Sequence, residues 1–366
     1  MPAARGRVAV IGLGLMGGSL GCALVRNGWE VTGWDRNPEV IVQAYRQGAI
    51  TWMPATLGAA VAASQYIFIA TPVTTIPQMI RDCLPYAVPG TIFSDLGSIK
   101  ERIIEEVFTF LPSNYYFVPG HPMTGSEQQG INAIDPFLFE NAAYIIIRDQ
   151  RNPETVTAKV ASLVSQAGAQ LIYLDAAEHD WIVGMVSHLP HLVAVVLALT
   201  AGMAEAAHPG TLALAAGGFR DTTRIATGSP SLWEGIIRGN RVKVLEALEQ
   251  FEAQLKAVHQ MVADDDREGL VSLLEQAREV RLQIPTKHKG LLSSLYEMVV
   301  TIEDRPGTIE EVLRYLSQAQ INIKDIEILR IREGTGGTLR LAFENDTAVE
   351  RAVALLSKHG FKVWRR

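Results

Sequence analysis

Cysteine is nearly absent: Cys22 and Cys83 are the only two in 366 residues. Two thiols without metal-ligand spacing make neither a disulfide framework nor a cysteine metal site, and they fit a reducing compartment. A basic stripe is also missing. The formal net charge of −6 comes from mixed charges spread along the chain, which argues against a nucleic-acid surface. No uninterrupted apolar run reaches the ~20 residues of a bilayer span. The longest, Leu192 to Ala204, contains Thr200 and Gly202 and reads as a buried core helix or a dimer helix. The start, MPAARGRVAV, enters a strand pattern without the apolar region of an export signal, so a cytoplasmic protein is expected. What the chain does have is apolar content, 48% hydrophobic, enough at this length for two or three domains.

Three regions differ in pattern. From Arg7 to about Tyr173, β-rich runs (VAVIGLG, YIFIAT, TIFSDL, YYFVPG, AAYIIIR, QLIYL) alternate with helical stretches, the mark of βαβ units and a largely parallel sheet. This predicts an α/β Rossmann-type domain over 1–173. After Asp175, which with Glu178 forms a candidate capping pair, apolar-periodic helical segments predict an all-α domain over 174–285. Residues 286–295, rich in Lys, Gly and Ser, read as a linker. The remainder, 296–366, alternates as βαββαβ and predicts a small α+β domain of ferredoxin-like type. The consecutive acids Asp264, Asp265 and Asp266 read as a solvated helix end or turn.

The first chemical signal is GLGLMGGS, with Gly12, Gly14 and Gly17 in a G-x-G-x-x-G pattern. It follows a strand and opens a helix, and Asp35 ends the next strand about 20 residues on, the context of a dinucleotide site. Gly12 permits the tight turn, Gly14 lets backbone approach a pyrophosphate, and Gly17 allows helix and strand to pack closely, with the helix N-terminus facing the phosphates. Asp35 would bond the ribose hydroxyls and repel a 2′-phosphate, favouring NAD, whereas the neighbouring Arg36 leaves NADP open.

Polar residues at strand ends are candidates for the reacting groups, because ligands collect at the carboxyl edge of such sheets. Ser98 follows TIFSDL and also reads as an N-cap for the helix after it. His121, between Gly120 and Pro122, can take a proton near neutral pH or be a satisfied loop residue. In MVSHLPHL, Pro190 interrupts an apolar helix and should bend it, freeing carbonyls near Val186 in a way that suits a pocket wall. His188 and His191 lie on this segment; a metal site there lacks a third ligand.

Taken in order, GLGLMGGS, ATPV, DLGSIK, GHPMTGSE, VSHLPH and GGFRDTTRIA resemble the prephenate dehydrogenase family over about residues 5 to 285, and EDRPGTIEEVLRYLSQAQINI is similar to an ACT domain. The resemblance implies NAD-dependent oxidative decarboxylation of prephenate to 4-hydroxyphenylpyruvate. It implies that His121 accepts the proton of the substrate's 4-hydroxyl and that Ser98 hydrogen-bonds the same hydroxyl. Arg224 is implied as the substrate-carboxylate clamp, His191 as reaching the pyruvyl end, with Ser187 one turn before it. The resemblance further implies that Glu127 joins the network that closes the pocket and that Thr71 in ATPV contacts the cofactor. For His188 three readings stay open: pocket lining, kink cap and buried structural residue. The ACT resemblance implies feedback by an amino acid, tyrosine first, against the alternative of an oligomer-forming appendage, and the apolar helix points to a homodimer. Other readings are arogenate or dual specificity, a β-hydroxy-acid dehydrogenase, for which a helical-domain lysine would be usual, and a non-catalytic NAD and amino-acid sensor.

Overall fold

The computed structural model describes residues 6–125, 128, 130–284, 296–303, 305–332 and 336–365. Glu127 and the expected linker at 286–295 lie outside the described residues. The chain divides into two compact units, residues 1–276 and 277–366.

In the first unit, β1 (Arg7–Ile11), β2 (Glu30–Trp34), β3 (Tyr66–Ile69), β4 (Ile92–Asp95) and β5 (Tyr116–Val118) form a parallel sheet in the order β2-β1-β3-β4-β5. Its strands are apolar on both faces. Val8 and Val10 pack with Leu20 and Leu24 on one side, Ile11, Ile67 and Ile69 with Ile76 and Ile80 on the other. Double burial explains why these strands read as continuous apolar runs rather than alternating ones.

Sequence patterning suggested one largely parallel sheet, but the later strands stand apart. β6 (Gly120–Pro122), β7 (Ala143–Ile147) and β8 (Gln170–Leu174) form a second, three-stranded sheet in which β6 pairs antiparallel and β8 parallel to β7. Pro119 separates β5 from β6. It has no N–H to donate, and its carbonyl accepts from Ile147 N at 3.0 Å.

A helix Ala176–Val183 runs through a π-helical turn, Gly184–His188, into a helix Leu189–Ala207. Where a bend is expected at Pro190, the structure has this π turn just before the proline. Pro190 follows this turn inside the continuous helix, and its missing N–H leaves a carbonyl of the π turn without its ladder partner. Asp175 occupies the N-cap position, but its side chain makes no capping bond, so the expected pair with Glu178 does not form. Nor is the apolar run core within the chain: Val196, Leu199 and Met203 are 61%, 65% and 75% exposed. By length and composition the continuous helix 176–207 is long and apolar enough to cross a membrane. Its first half instead buries His179, Asp180 and His188 with hydrogen-bond partners in the same chain. Helices Pro230–Gly239, Arg241–Ala263 and Arg267–Gln283 follow. At the last junction Asp266 accepts from Gly269 N at 2.9 Å, and Asp264 accepts from Gln260 at 2.7 Å, as expected of acids at a helix turn.

The second unit comprises β9 (Tyr296–Ile302), a helix Thr308–Gln318, β10 (Asp325–Arg332), β11 (Gly336–Phe343), a helix Asp346–Lys358 and β12 (Val363–Arg365). Its antiparallel sheet has the order β10-β11-β9-β12, the product of the βαββαβ pattern. Val312, Leu316, Val349 and Leu356 of the helices cover Met298, Val300, Leu339 and Leu341 of the sheet.

Candidate active site

The glycine loop lies at the carboxyl ends of β1 and β3, where the strand order changes direction. Gly12 has φ +94°, and a side-chain carbon there would stand 2.6 Å from the Ala70 carbonyl oxygen and 3.2 Å from the Thr71 side chain. One at Gly17 would stand 1.9 Å from the Gly12 carbonyl oxygen, so no larger residue fits unless the loop moves. Gly14 has only Gly130 Cα near, at 3.9 Å, leaving its face open to a ligand. The helix Leu15–Arg26 starts there without a side-chain cap or an acid in its first turn, so its N–H groups face no competing anion. Asp35 accepts from Leu13 N and Asn37 N, each at 3.0 Å, which fixes its carboxylate beside the loop; Arg36 is exposed. This cradle fits a dinucleotide, and it assembles Gly12, Gly14, Gly17, Asp35 and Thr71 at one sheet edge.

A cavity of about 460 Å³ opens between the ends of β4 and β6 and the helical segment, lined by Ser98, His121, Ser187, His188, Ile225 and Trp233 among others. The structure thus brings Ser98, His121 and Ser187 to one space. Ser98 does not cap the helix Glu101–Phe108, contrary to its structural reading. The Asp180 carboxylate does so across 80 positions of chain, accepting from Lys100 N at 2.7 Å and Glu101 N at 2.9 Å.

His191 is buried and stacks on Trp233 with ring centroids 3.6 Å apart and planes 10° apart, its Nδ1 without a hydrogen-bond partner. It stands behind the Trp233 ring rather than on the cavity lining. His188 is buried yet lines the cavity, with its ring edge-on to the same Trp233. Asn240 Nδ2 donates to the Asp180 carbonyl at 2.7 Å and lies 3.2 Å from His188 Nδ1, so Nδ1 is the acceptor and the His188 proton sits on Nε2. Arg224 is exposed, on the turn one residue before Ile225, and is not part of the cavity lining.

Sequence reading missed the buried polar residues behind the cavity. Lys100 is fully buried and ion-paired with Asp95, and its ammonium also donates to the Gly120 carbonyl at 2.7 Å. Asp95 accepts from Gly97 N at 2.9 Å and Gly120 N at 3.3 Å. This pair ties the end of β4 to the strand that carries His121. His121 Nδ1 lies 2.8 Å from His179 Nε2, and His179 Nδ1 lies 2.7 Å from an Asp180 carboxylate oxygen. Burial first, then the neighbouring His179, Lys100 and His188, hold the His121 pKa well below its ordinary value. Burial likewise pushes His188 down to about 4. Both imidazoles are therefore neutral at physiological pH. The only signal in the sequence was a Lys and a His-Asp pair at helix starts, which is commonplace.

A glycine cradle for a dinucleotide, a neutral histidine in a cavity past the end of β4 and a helical wall define a nicotinamide-dinucleotide-dependent dehydrogenase of the Rossmann-plus-helical class. Comparison with known proteins narrows this. Residues 20–173 match the profile described as prephenate dehydrogenase, nucleotide-binding domain, residues 175–276 that of prephenate dehydrogenase, dimerization domain, and residues 296–360 the ACT domain. A prephenate dehydrogenase of Bacillus subtilis is 32% identical over 348 residues, 94% of each chain. One of Lactococcus lactis is 31% identical over 96% of this chain and 98% of its own. The crystal structure of prephenate dehydrogenase from A. aeolicus, in complex with hydroxyphenyl propionate and NAD+, superposes with a TM-score of 0.72 at 27% identity, over 78% of this chain and all of that one. The chain belongs to the prephenate dehydrogenase family.

Proposed function

We propose that this enzyme converts prephenate and NAD to 4-hydroxyphenylpyruvate, CO2 and NADH in the cytoplasm, as a homodimer inhibited by tyrosine. The carrying observation is His121, buried on the lining of a cavity that also takes in Ser98 past the carboxyl end of β4, with burial holding its pKa well below the ordinary value. Loss of hydride from C4 of prephenate together with the 4-hydroxyl proton makes a carbonyl there, and departure of the ring carboxylate as CO2 then leaves an aromatic phenolate that takes the proton back, so the protein must supply at that oxygen a neutral base able to return the proton. Bound NAD supplies the hydride acceptor. His121 takes the proton, and Ser98 on the same lining hydrogen-bonds the hydroxyl. We assign Arg224 to a substrate carboxylate, reaching over the rim from the turn before Ile225, Ser187 and His191 to the pyruvyl side, and Glu127 to pocket closure. His191 acts through the Trp233 face it stacks on. Asp35 supports NAD over NADP because its carboxylate is held where a 2′-phosphate would meet it. We divide the chain into a dinucleotide domain (1–173), a helical domain (174–285), a linker (286–295) and an ACT domain (296–366).

The test measures initial NADH or NADPH formation with prephenate or arogenate, each with NAD and NADP. Prephenate with NAD should be the preferred pair. Preference for arogenate would overturn the side-chain assignment, and no turnover with any pair would overturn the enzymatic reading. Tyrosine should inhibit the full chain and lose potency at least tenfold when 296–366 are deleted; undiminished inhibition of the truncated enzyme would place the effector elsewhere.

A further inference from the structure

The hydrogen-bond chain behind His121 determines which of its nitrogens carries the proton. The Asp180 carboxylate receives two backbone donors, Lys100 N and Glu101 N, whose N–H groups cannot turn away. Both its oxygens therefore already accept, and the third neighbour, His179 Nδ1 at 2.7 Å, donates to it. A neutral His179 protonated at Nδ1 has only a lone pair at Nε2. That lone pair faces His121 Nδ1 at 2.8 Å, so His121 must be the donor in this bond. Its own lone pair is then left on Nε2, the nitrogen not engaged with His179.

We propose that His179, oriented by Asp180, is a positioning residue that locks His121 in its Nδ1–H form and leaves Nε2 free to accept the substrate proton. This inference rests on His121 being the proton acceptor. The competing arrangement has a protonated His179 donating to both Asp180 and His121, which would place the His121 proton on Nε2 and disable it. Burial, and then the Lys100 ammonium, work against that cation, while the Asp180 hydrogen bond and charge and the Asp95 charge favour it; the balance holds the His179 pKa below its ordinary value. The groups facing the two rings are Asp95 from β4, Lys100 from the adjoining loop, and Asp180 and His188 from the helix of His179 itself. Of these, Lys100 also donates to the Gly120 carbonyl next to His121, so the strand and the relay are set by the same ammonium. When His121 becomes an imidazolium, its Nδ1–H bond to His179 strengthens, and the Asp180 anion at the end of the chain offsets the new charge.

Two variants of the full-length enzyme and one spectroscopic signature test this. His179→Leu removes the acceptor and should lower kcat at least tenfold, with the KM for prephenate within about twofold. His179→Gln, whose side-chain oxygen can accept from His121 Nδ1, should recover most of that loss. In 15N-histidine spectra, with the His121 signals identified by their loss in His121→Asn, Nδ1 should be of the protonated type and Nε2 of the unprotonated type. A reversed pair of signals would overturn the proposal, as would wild-type kcat in His179→Leu or an equal loss in both His179 variants. Retained turnover in His121→Asn would instead overturn the underlying assignment of the base, which separates the two failures.

Discussion

Single side chains in this protein are specified by what backbone they meet. Gly17 is fixed by a carbonyl 1.9 Å from where a side chain would begin, and Asp180 by two N–H groups of a helix it does not belong to. Lys100 illustrates the cost of such arrangements. Burial lowers its pKa, Asp95 raises it, and removing either partner of a buried pair of this kind costs roughly 3–5 kcal/mol because a charge is left uncompensated. Arg224 is at the other extreme, exposed on a short turn, so its replacement should leave the fold intact. Arg224→Ala is expected to raise the prephenate KM by about tenfold or more through loss of a charge-assisted contact of about 1.5–3 kcal/mol. Steady-state kinetics beside an unchanged melting curve would show this, and an unaltered KM would remove Arg224 from the carboxylate.

The helix from Ala176 to Ala207 concentrates the titratable chemistry of the element scale. His179, His188 and His191 are all buried on it, and burial is the leading cause of the depressed pKa at each. The unfolded chain protonates these imidazoles below about pH 6.5, whereas the folded chain resists. Their contribution to stability is therefore complete above that pH and lost as pH falls toward the folded values. His188 alone, held at about 4, should cost about 2 kcal/mol between pH 7 and pH 5. Urea unfolding should show a lower midpoint at pH 5 than at pH 7, and equal midpoints would mean these histidines are not buried neutral. The π turn belongs to the same element. Its residues Ser187 and His188 both line the cavity.

At the scale of the molecule, the helical part offers an apolar face for the proposed homodimer. Val196, Leu199 and Met203 on one helix, and Leu255 and Val262 on another, are each more than half exposed, and apolar exposure on that scale marks an interface. Replacing Leu199 and Met203 together by Glu should shift the enzyme from dimer to monomer in sedimentation equilibrium, since two buried charges outweigh the apolar gain they replace. A dimer that persisted unchanged would place the interface on another face. The second unit closes its own core around Met298, Val300 and Leu341.

Local sequence was enough for whatever depends on spacing along the chain. Doubly buried strands, the glycine turn with Asp35 after the next strand, and the βαββαβ tail are patterns whose partners lie within a few tens of residues, and their physics is periodicity and backbone sterics. The positions of Ser98 and His121 were legible for the same reason, as polar residues just past apolar strands. Tertiary structure alone decided the rest. The split of the sheet at Pro119, the capping of one helix by Asp180 from another, and the chain from Asp180 through His179 to His121 join residues up to 80 positions apart. Nothing local distinguishes Lys100 or His179 from surface residues. Only burial in a shared, low-dielectric space turns an ordinary lysine, aspartate and histidine into the groups that set another histidine's proton.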